Sequence, residues 1–233
     1  MYTHTYDLRY SDYKDFDTVK ASSVLDIVQE VSVQHSASLG YDVAKLRELE
    51  LAWLIQGIKI RFEKPVTTAY PLEASTAVKA MRGATSERGC IIRQNGEVVA
   101  KTIANWFLFD VQKGRIGKIT PEMQETYSVW DFDDDFFVYK KPDLHTDAQR
   151  AYTIRVSNKE IDTNMHLNNQ KGAELLMDAL PFDYKFRDMN VLYKKSAYLG
   201  DELDVCTLRT ENGYYVHLMT KEKDICVAGI FEE

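Results

Sequence analysis

Ile58-Lys59-Ile60-Arg61-Phe62-Glu63-Lys64 reappears late in the chain as Met189-Asn190-Val191-Leu192-Tyr193-Lys194-Lys195, and reading these stretches as two copies of one strand decides the fold. In the first copy Ile58, Ile60 and Phe62 alternate with Lys59, Arg61 and Glu63, the period of two that marks a half-buried strand. Other pieces match in the same order. Leu8-Arg9-Tyr10-Ser11-Asp12 corresponds to Ile154-Arg155-Val156-Ser157-Asn158, and Phe16-Asp17-Thr18 to Ile161-Asp162-Thr163. Segments that recur in order across both halves indicate a duplicated unit.

Each half reads as a strand, a helix and a run of antiparallel strands. In the first half Tyr2, His4, Tyr6, Leu8 and Tyr10 alternate with polar residues. Val24, Ile27, Val28 and Val31 then fall on one helical face, with Ser23 and Asp26 as a capping pair and Gly40 as the stop. The strand at 58–62 follows, then strands over 72–81 and 88–94, and an Asn95-Gly96 hairpin into 97–109. In the second half Tyr152, Ile154 and Val156 form a strand. A helix over 168–180 presents Ala173, Leu176, Met177 and Leu180 and ends at Pro181. Strands are expected at 189–195 and 202–210, with Asn212-Gly213 turning into 214–220 and 225–231 closing the chain. One helix with antiparallel strands, present twice, predicts an α+β fold in which each sheet wraps a central helix. Pairing the two sheets edge to edge would hide strand edges. This is a double hot dog of two tandem hot-dog units, with the first repeat at 1–120, a linker at 121–150 and the second repeat at 151–233. The linker holds an acidic cluster among Trp130, Phe132, Phe136 and Phe137, aromatics that need a surface to cover.

The formal charge of −7 argues against nucleic acid as a partner. No apolar run reaches the ~20 residues that span a bilayer, and the start Met1-Tyr2-Thr3-His4-Thr5 lacks the features of a signal peptide, so a cytoplasmic location is expected. Cys90, Cys206 and Cys226 form no CxxC pair and sit in strand-like contexts, which predicts buried thiols.

The chemistry is expected in Ile161-Asp162-Thr163-Asn164-Met165-His166-Leu167-Asn168-Asn169, a polar loop feeding the second helix. Asp162, Asn164 and His166 set a carboxylate, a carboxamide and an imidazole beside a helix N-terminus, whose partial positive charge and N–H donors suit a developing oxyanion. Asn168 or Asn169 caps the helix. On spacing alone the same residues also suit a plain turn with a buried histidine. Their presence in the second repeat only, where the first continues with Val19-Lys20-Ala21, favours chemistry. Read as a calcium loop, the stretch has Leu167 at the glycine position and Ala173 at the chelating glutamate. No histidine pair suits zinc, so no metal or cofactor is expected, and no G-x-S-x-G elbow is present. His35 reads as structural.

Asp162-x-Asn164-x-His166 followed by Leu167-Asn168-Asn169 resembles the D-x-N-x-H-[VL]-N-N signature of the acyl-acyl-carrier-protein thioesterases of plants and bacteria, which are double hot-dog proteins. Trp53 before a basic strand and Asn105-Trp106-Phe107-Leu108-Phe109 resemble first-half features of that family. The resemblance covers nearly the whole chain. It implies a thioesterase that releases fatty acids from acyl carrier protein, with Asp162, Asn164 and His166 as the site. A hot-dog acyl-coenzyme A thioesterase and a non-catalytic acyl-binding protein remain alternatives. The resemblance also implies that the first repeat holds the acyl chain, with Trp53 and Ile58 as apolar walls. Two features depart from the family. Ser196 and Ala197 stand where an acidic residue, and in plant members a following cysteine, are common, which brings in Ser196 and Glu174 as accessory residues. Gly172 and Leu175 stand where the helix often carries an aromatic pair. Basic residues at Lys59, Arg61, Lys64, Lys140, Lys141, Arg150, Lys185, Arg187, Lys194 and Lys195 offer a landing site for an acidic carrier and its phosphopantetheine arm. The single chain is expected as a pseudo-dimeric monomer or a homodimer.

Overall fold

The computed structural model describes residues 1–162 and 165–233. The chain forms two compact units, Met1–Tyr139 and Lys140–Glu233.

In the first unit β1 (Tyr2–Tyr6) leads through a 3-10 turn to α1 (Ala21–Ser38) and the short α2 (Val43–Glu48). β2 (Leu51–Phe62), β3 (Leu72–Arg82), β4 (Thr85–Gln94), β5 (Glu97–Asp110), the two-residue β6 (Arg115–Ile116) and α3 (Pro121–Tyr127) follow. The strands pair antiparallel in the order β1-β3-β4-β5-β2, with β6 on the end of β5. Helix α1 packs on β3 and β1, burying Val24, Leu25, Ile27, Val28 and Val31. The expected capping pair is absent: Lys20 is the N-cap without a side-chain bond. Ser23 is buried in the first turn instead, where its hydroxyl bonds Asp12. Gly40, at φ +82°, follows the helix as expected, since an L side chain rarely adopts that conformation. Asn95 and Gly96 both have positive φ, the requirement of a type I′ hairpin.

The stretch expected as a linker is shared between the units. Its first part folds onto the first sheet: Phe132, Phe136 and Phe137 pack with Ala77 and Ile103, on the face opposite α1. Gly89 lies under this cluster because a Cβ there would run into the Phe132 ring. These three phenylalanines therefore find the surface their composition demanded, each burying apolar area worth roughly 2–3 kcal/mol, whereas Trp130, expected with them, stays 48% exposed.

The second unit repeats the plan. β7 (Gln149–Arg155), α4 (Asn169–Met177), β8 (Asp188–Tyr193), β9 (Glu202–Thr210), β10 (Gly213–Met219) and β11 (Ile225–Glu232) follow one another, and the strands lie in the order β7-β9-β10-β11-β8. Strand for strand this is the order of the first sheet. Helix α4 sits on β10 and β11 and comes very close. A Cβ on Gly172 would stand 3.1 Å from Val227 Cγ2, and one on Gly229 3.0 Å from Leu176 Cδ1. This close approach accounts for glycine at both positions. The helix stops at Met177, short of the expected Leu180, and turns lead on to Pro181.

The second hairpin exists, but its turn is Glu211-Asn212. Gly213 already belongs to β10, where a Cβ would collide with the Phe231 carbonyl.

Candidate active site

The loop before each helix is built by the same backbone hydrogen bonds. In the first unit Asp12 N donates to Arg9 O at 2.9 Å, Lys14 N to Thr18 O at 2.8 Å, Val19 N to Val66 O at 2.9 Å and Lys20 N to Asp12 O at 2.9 Å. In the second, Glu160 N donates to Ser157 O at 3.1 Å, Asp162 N to His166 O at 2.9 Å, Leu167 N to Ala197 O at 2.8 Å and Asn168 N to Glu160 O at 2.8 Å. Lys14 is thus the counterpart of Asp162, Phe16 of Asn164 and Thr18 of His166. This corrects two expected matches: Phe16-Asp17-Thr18 with Ile161-Asp162-Thr163 is three residues out of register, and 8–12 with 154–158 is two residues out, since Arg9 and Asp12 stand where Ser157 and Glu160 do. The strand match of 58–64 to 189–195 agrees with the pairing of Val66 and Ala197 to equivalent loop positions.

A carboxylate anchors each loop. Asp12 accepts from Arg9 N at 2.7 Å and pairs with the Arg9 guanidinium at 2.9 Å. Glu160 accepts from Ser157 N at 2.7 Å and Ser157 Oγ at 2.6 Å, a capping box around a 3-10 turn. Burial acts to raise both pKa values. The hydrogen bonds, with Arg9 on Asp12 and Lys159 on Glu160, prevail and hold both below the usual carboxylate range.

Asp162 and His166 close the loop on each other. The Asp162 carboxylate accepts from His166 N at 3.2 Å, and Met165, at φ 64°, donates its N–H to Asp162 O at 3.0 Å. The His166 imidazole meets the Tyr198 ring edge-on at 5.0 Å between centroids, across an antiparallel bridge. Asn164, the middle member of the expected set, lies outside the described residues. Ser196 is exposed and directly precedes Ala197, whose carbonyl holds Leu167, so the backbone brings it alongside the loop. Glu174 is half-buried on α4 and paired with Lys171 at 2.6 Å.

Asn168 caps α4 as expected, with Oδ1 accepting from Gln170 N at 2.9 Å and Lys171 N at 3.3 Å. This revises one expectation. Those two N–H groups are spent on the cap, so an oxyanion beside the loop needs other donors.

Sequence reasoning missed Tyr198 and Glu160. Ser157-x-x-Glu160 carries a capping-box pattern that could have revealed the second. Trp53 and Ile58 lie in the first unit. Ile58 is buried on the α1 side of its sheet, and Trp53 packs on Tyr127 at 6.4 Å between ring centroids. Several expected basic residues have partners within their own unit: Lys64 pairs with Glu97 at 2.8 Å, Arg150 with Asp204 at 3.7 Å, and Lys195 with Asp224. Lys59 and Arg61 lie over the Phe136 ring. Among the described residues no group of His, Cys, Asp and Glu is arranged to hold a metal ion, and no described helix is long and apolar enough to cross a membrane.

The family model of the acyl-ACP thioesterase N-terminal domain matches residues 1–127, and that of the acyl-ACP thioesterase C-terminal domain matches residues 143–229. The chain belongs to the acyl-ACP thioesterase family. It is similar to oleoyl-acyl carrier protein thioesterase 2, chloroplastic, of Arabidopsis thaliana, at 19% identity over 212 residues. That alignment takes in 82% of this chain but only 58% of the relative's length. Among solved structures, an acyl-ACP thioesterase from Bacteroides thetaiotaomicron superposes with a TM-score of 0.88 at 16% identity, over 99% of this chain and 96% of the other. The 12:0-ACP thioesterase from Umbellularia californica gives 0.84 at 15%, over 99% and 95%. At such identities the likeness speaks for the fold, which is the double hot dog of this acyl-ACP thioesterase family.

Proposed function

We propose that this acyl-ACP thioesterase family member hydrolyses fatty acyl-acyl carrier protein to a free fatty acid and carrier protein. In this reading the second unit supplies the chemistry and the first holds the acyl chain. The observation that carries the reading is the contrast between two loops that share four backbone bonds, of which only the second ends on an imidazole whose N–H is held by a carboxylate four residues back.

Water attacks the thioester carbonyl carbon while Asp162 orients it and accepts its proton, with Asn164 offering amide N–H donors to water or substrate. The C–S bond then breaks, and the phosphopantetheine sulfur leaves as a thiol by taking a proton that His166 relays. Asp162 is held for this task by the His166 N–H, and His166 by the Tyr198 ring edge. Ser196, exposed beside the loop, stands ready to orient water but is a poor base near neutral pH. Glu174 is an accessory acid only if its pair with Lys171 opens. Three free buried cysteines fit the reducing cytoplasm.

Turnover of an acyl carrier protein thioester and of the matching coenzyme A thioester, measured side by side, tests the reading. Preference for the carrier form is expected, with turnover lost in Asp162→Ala, Asn164→Ala and His166→Ala. Full activity in all three would remove the site assignment. Preference for coenzyme A would favour an acyl-coenzyme A thioesterase, and stoichiometric binding without turnover an acyl-binding protein.

A further inference from the structure

Arg88 lies on β4 on the α1 side of the first sheet, in the cross-strand row Val78, Arg88, Ala104, Ile58. It is only 7% exposed. Its Nη1 donates to His35 Nδ1 at 2.7 Å and reaches Thr76 Oγ1 at 3.5 Å, and its guanidinium lies 5.9 Å from the centre of the Tyr127 ring. Burial pulls its pKa down to about 10, far enough above neutrality to keep the charge. Burial, and then the charge of Arg88, lower His35 to about 4, so its imidazole is neutral and accepts the hydrogen bond. The groups acting on the Arg88 charge among the described residues are Tyr127 and Cys90, and neither is a carboxylate.

A guanidinium carries five N–H donors, and an arginine buried without a counter-charge is strongly unfavourable. Fastening α1 to β4 needs no such charge, because a neutral donor would bond His35 equally well. The donors left over call for an acceptor that enters from outside the chain. The apolar walls assigned to the acyl chain flank this point: Ile58 shares the cross-strand row, and Trp53 packs on the same Tyr127.

We propose that Arg88 anchors the far end of an acyl chain bearing an oxygen acceptor, a carboxylate in preference to a hydroxyl or ketone. This rests on the reading that the first unit holds the chain. A planar guanidinium meets a carboxylate through two parallel charge-assisted hydrogen bonds, which single out the oxygenated chain from an unsubstituted one of equal length.

The test is titration calorimetry of the intact protein with a free α,ω-dicarboxylic acid and with the monocarboxylic acid of the same carbon number. Arg88→Met and Arg88→Lys are measured beside the native chain. The diacid is expected to bind at least about tenfold tighter, as hydrogen bonds to a charged group allow. Arg88→Met abolishes the difference and Arg88→Lys retains part of it. In turnover, the kcat/KM ratio of ω-carboxyacyl to plain acyl carrier protein falls by a similar factor in Arg88→Met. Equal binding of the two acids by the native protein, or an unchanged ratio in a folded Arg88→Met, overturns the proposal. If Arg88→Met does not fold, the native comparison and Arg88→Lys decide. Calorimetry needs no hydrolysis, so a protein that binds the diacid selectively without turnover would contradict the thioesterase reading alone.

Discussion

Thr18 and His166 hold the same place in two copies of one loop, each closed by a bond to its carbonyl from four residues back, at 2.8 Å from Lys14 N and 2.9 Å from Asp162 N. One copy offers a lysine, an exposed phenylalanine and a threonine, and the other an acid, an amide and an imidazole. The backbone bonds are indifferent to these side chains. A duplicated scaffold can therefore change chemistry in one copy while keeping the fold of both, because the main chain and Asp12 or Glu160 beneath it hold each loop, and a loop carboxylate pins the closing residue in both copies, Asp15 accepting from Thr18 N at 2.7 Å and Asp162 from His166 N at 3.2 Å.

The strongest way to break this comparison is to exchange the loops. Writing Lys-Asp-Phe-Asp-Thr over 162–166 should leave the protein folded, as read by near-ultraviolet circular dichroism. Turnover should fall by about 10²–10⁴-fold, the contribution of a well-placed acid-base group. The reverse substitutions Lys14→Asp and Thr18→His should leave turnover unchanged, since the first copy has no partner chemistry.

The units also differ in what covers their sheets. Phe136→Ala removes an aromatic from the cluster on the first sheet and should cost about 3–5 kcal/mol in denaturant unfolding. Gly213→Ala in the second unit forces a methyl against the Phe231 carbonyl and should cost about 1–3 kcal/mol by the same measurement.

The smallest expected effects are on pH dependence. The anchoring acids Asp12 and Glu160 have folded pKa values below their unfolded ones. Their stabilisation is therefore complete above the unfolded carboxylate range and lost as pH falls through the folded pKa. Asp12→Asn and Glu160→Gln should each flatten the acid limb of the stability curve. His35, lowered to about 4, works in a higher window. Its unfolded form takes up a proton near pH 6.5 while the buried ring does not, so stability declines as pH drops from there towards 4, and His35→Gln should remove that slope.

Alternation and turn chemistry sufficed to read β3, β5, β9 and the Asn95-Gly96 hairpin close to their observed bounds. They misjudged Gly213, because glycine there answers to the Phe231 carbonyl on the next strand, β11, a contact that turn chemistry does not reveal. The loop register failed for a related reason. Asp-Thr occurs by chance at 17–18 and 162–163, and only the hydrogen bonds to Val66 and Ala197 reveal the true match. Asn168 was legible as a cap, but its occupation of the Gln170 and Lys171 N–H groups was not, since it depends on rotamer. Arg88 carried a signal that went unused: it is in phase with Cys90 and Ile92, which marks it for the buried face.

The division of labour between the units is tested most directly by the dependence of kcat and KM on acyl chain length in Asp162→Asn and Ile58→Ala. The account predicts that Asp162→Asn lowers kcat by one factor at every length and leaves the preferred length alone, whereas Ile58→Ala moves the preferred length and keeps kcat at the new optimum. A shifted preference in Asp162→Asn, or a uniform loss of kcat at unchanged preference in Ile58→Ala, would contradict it.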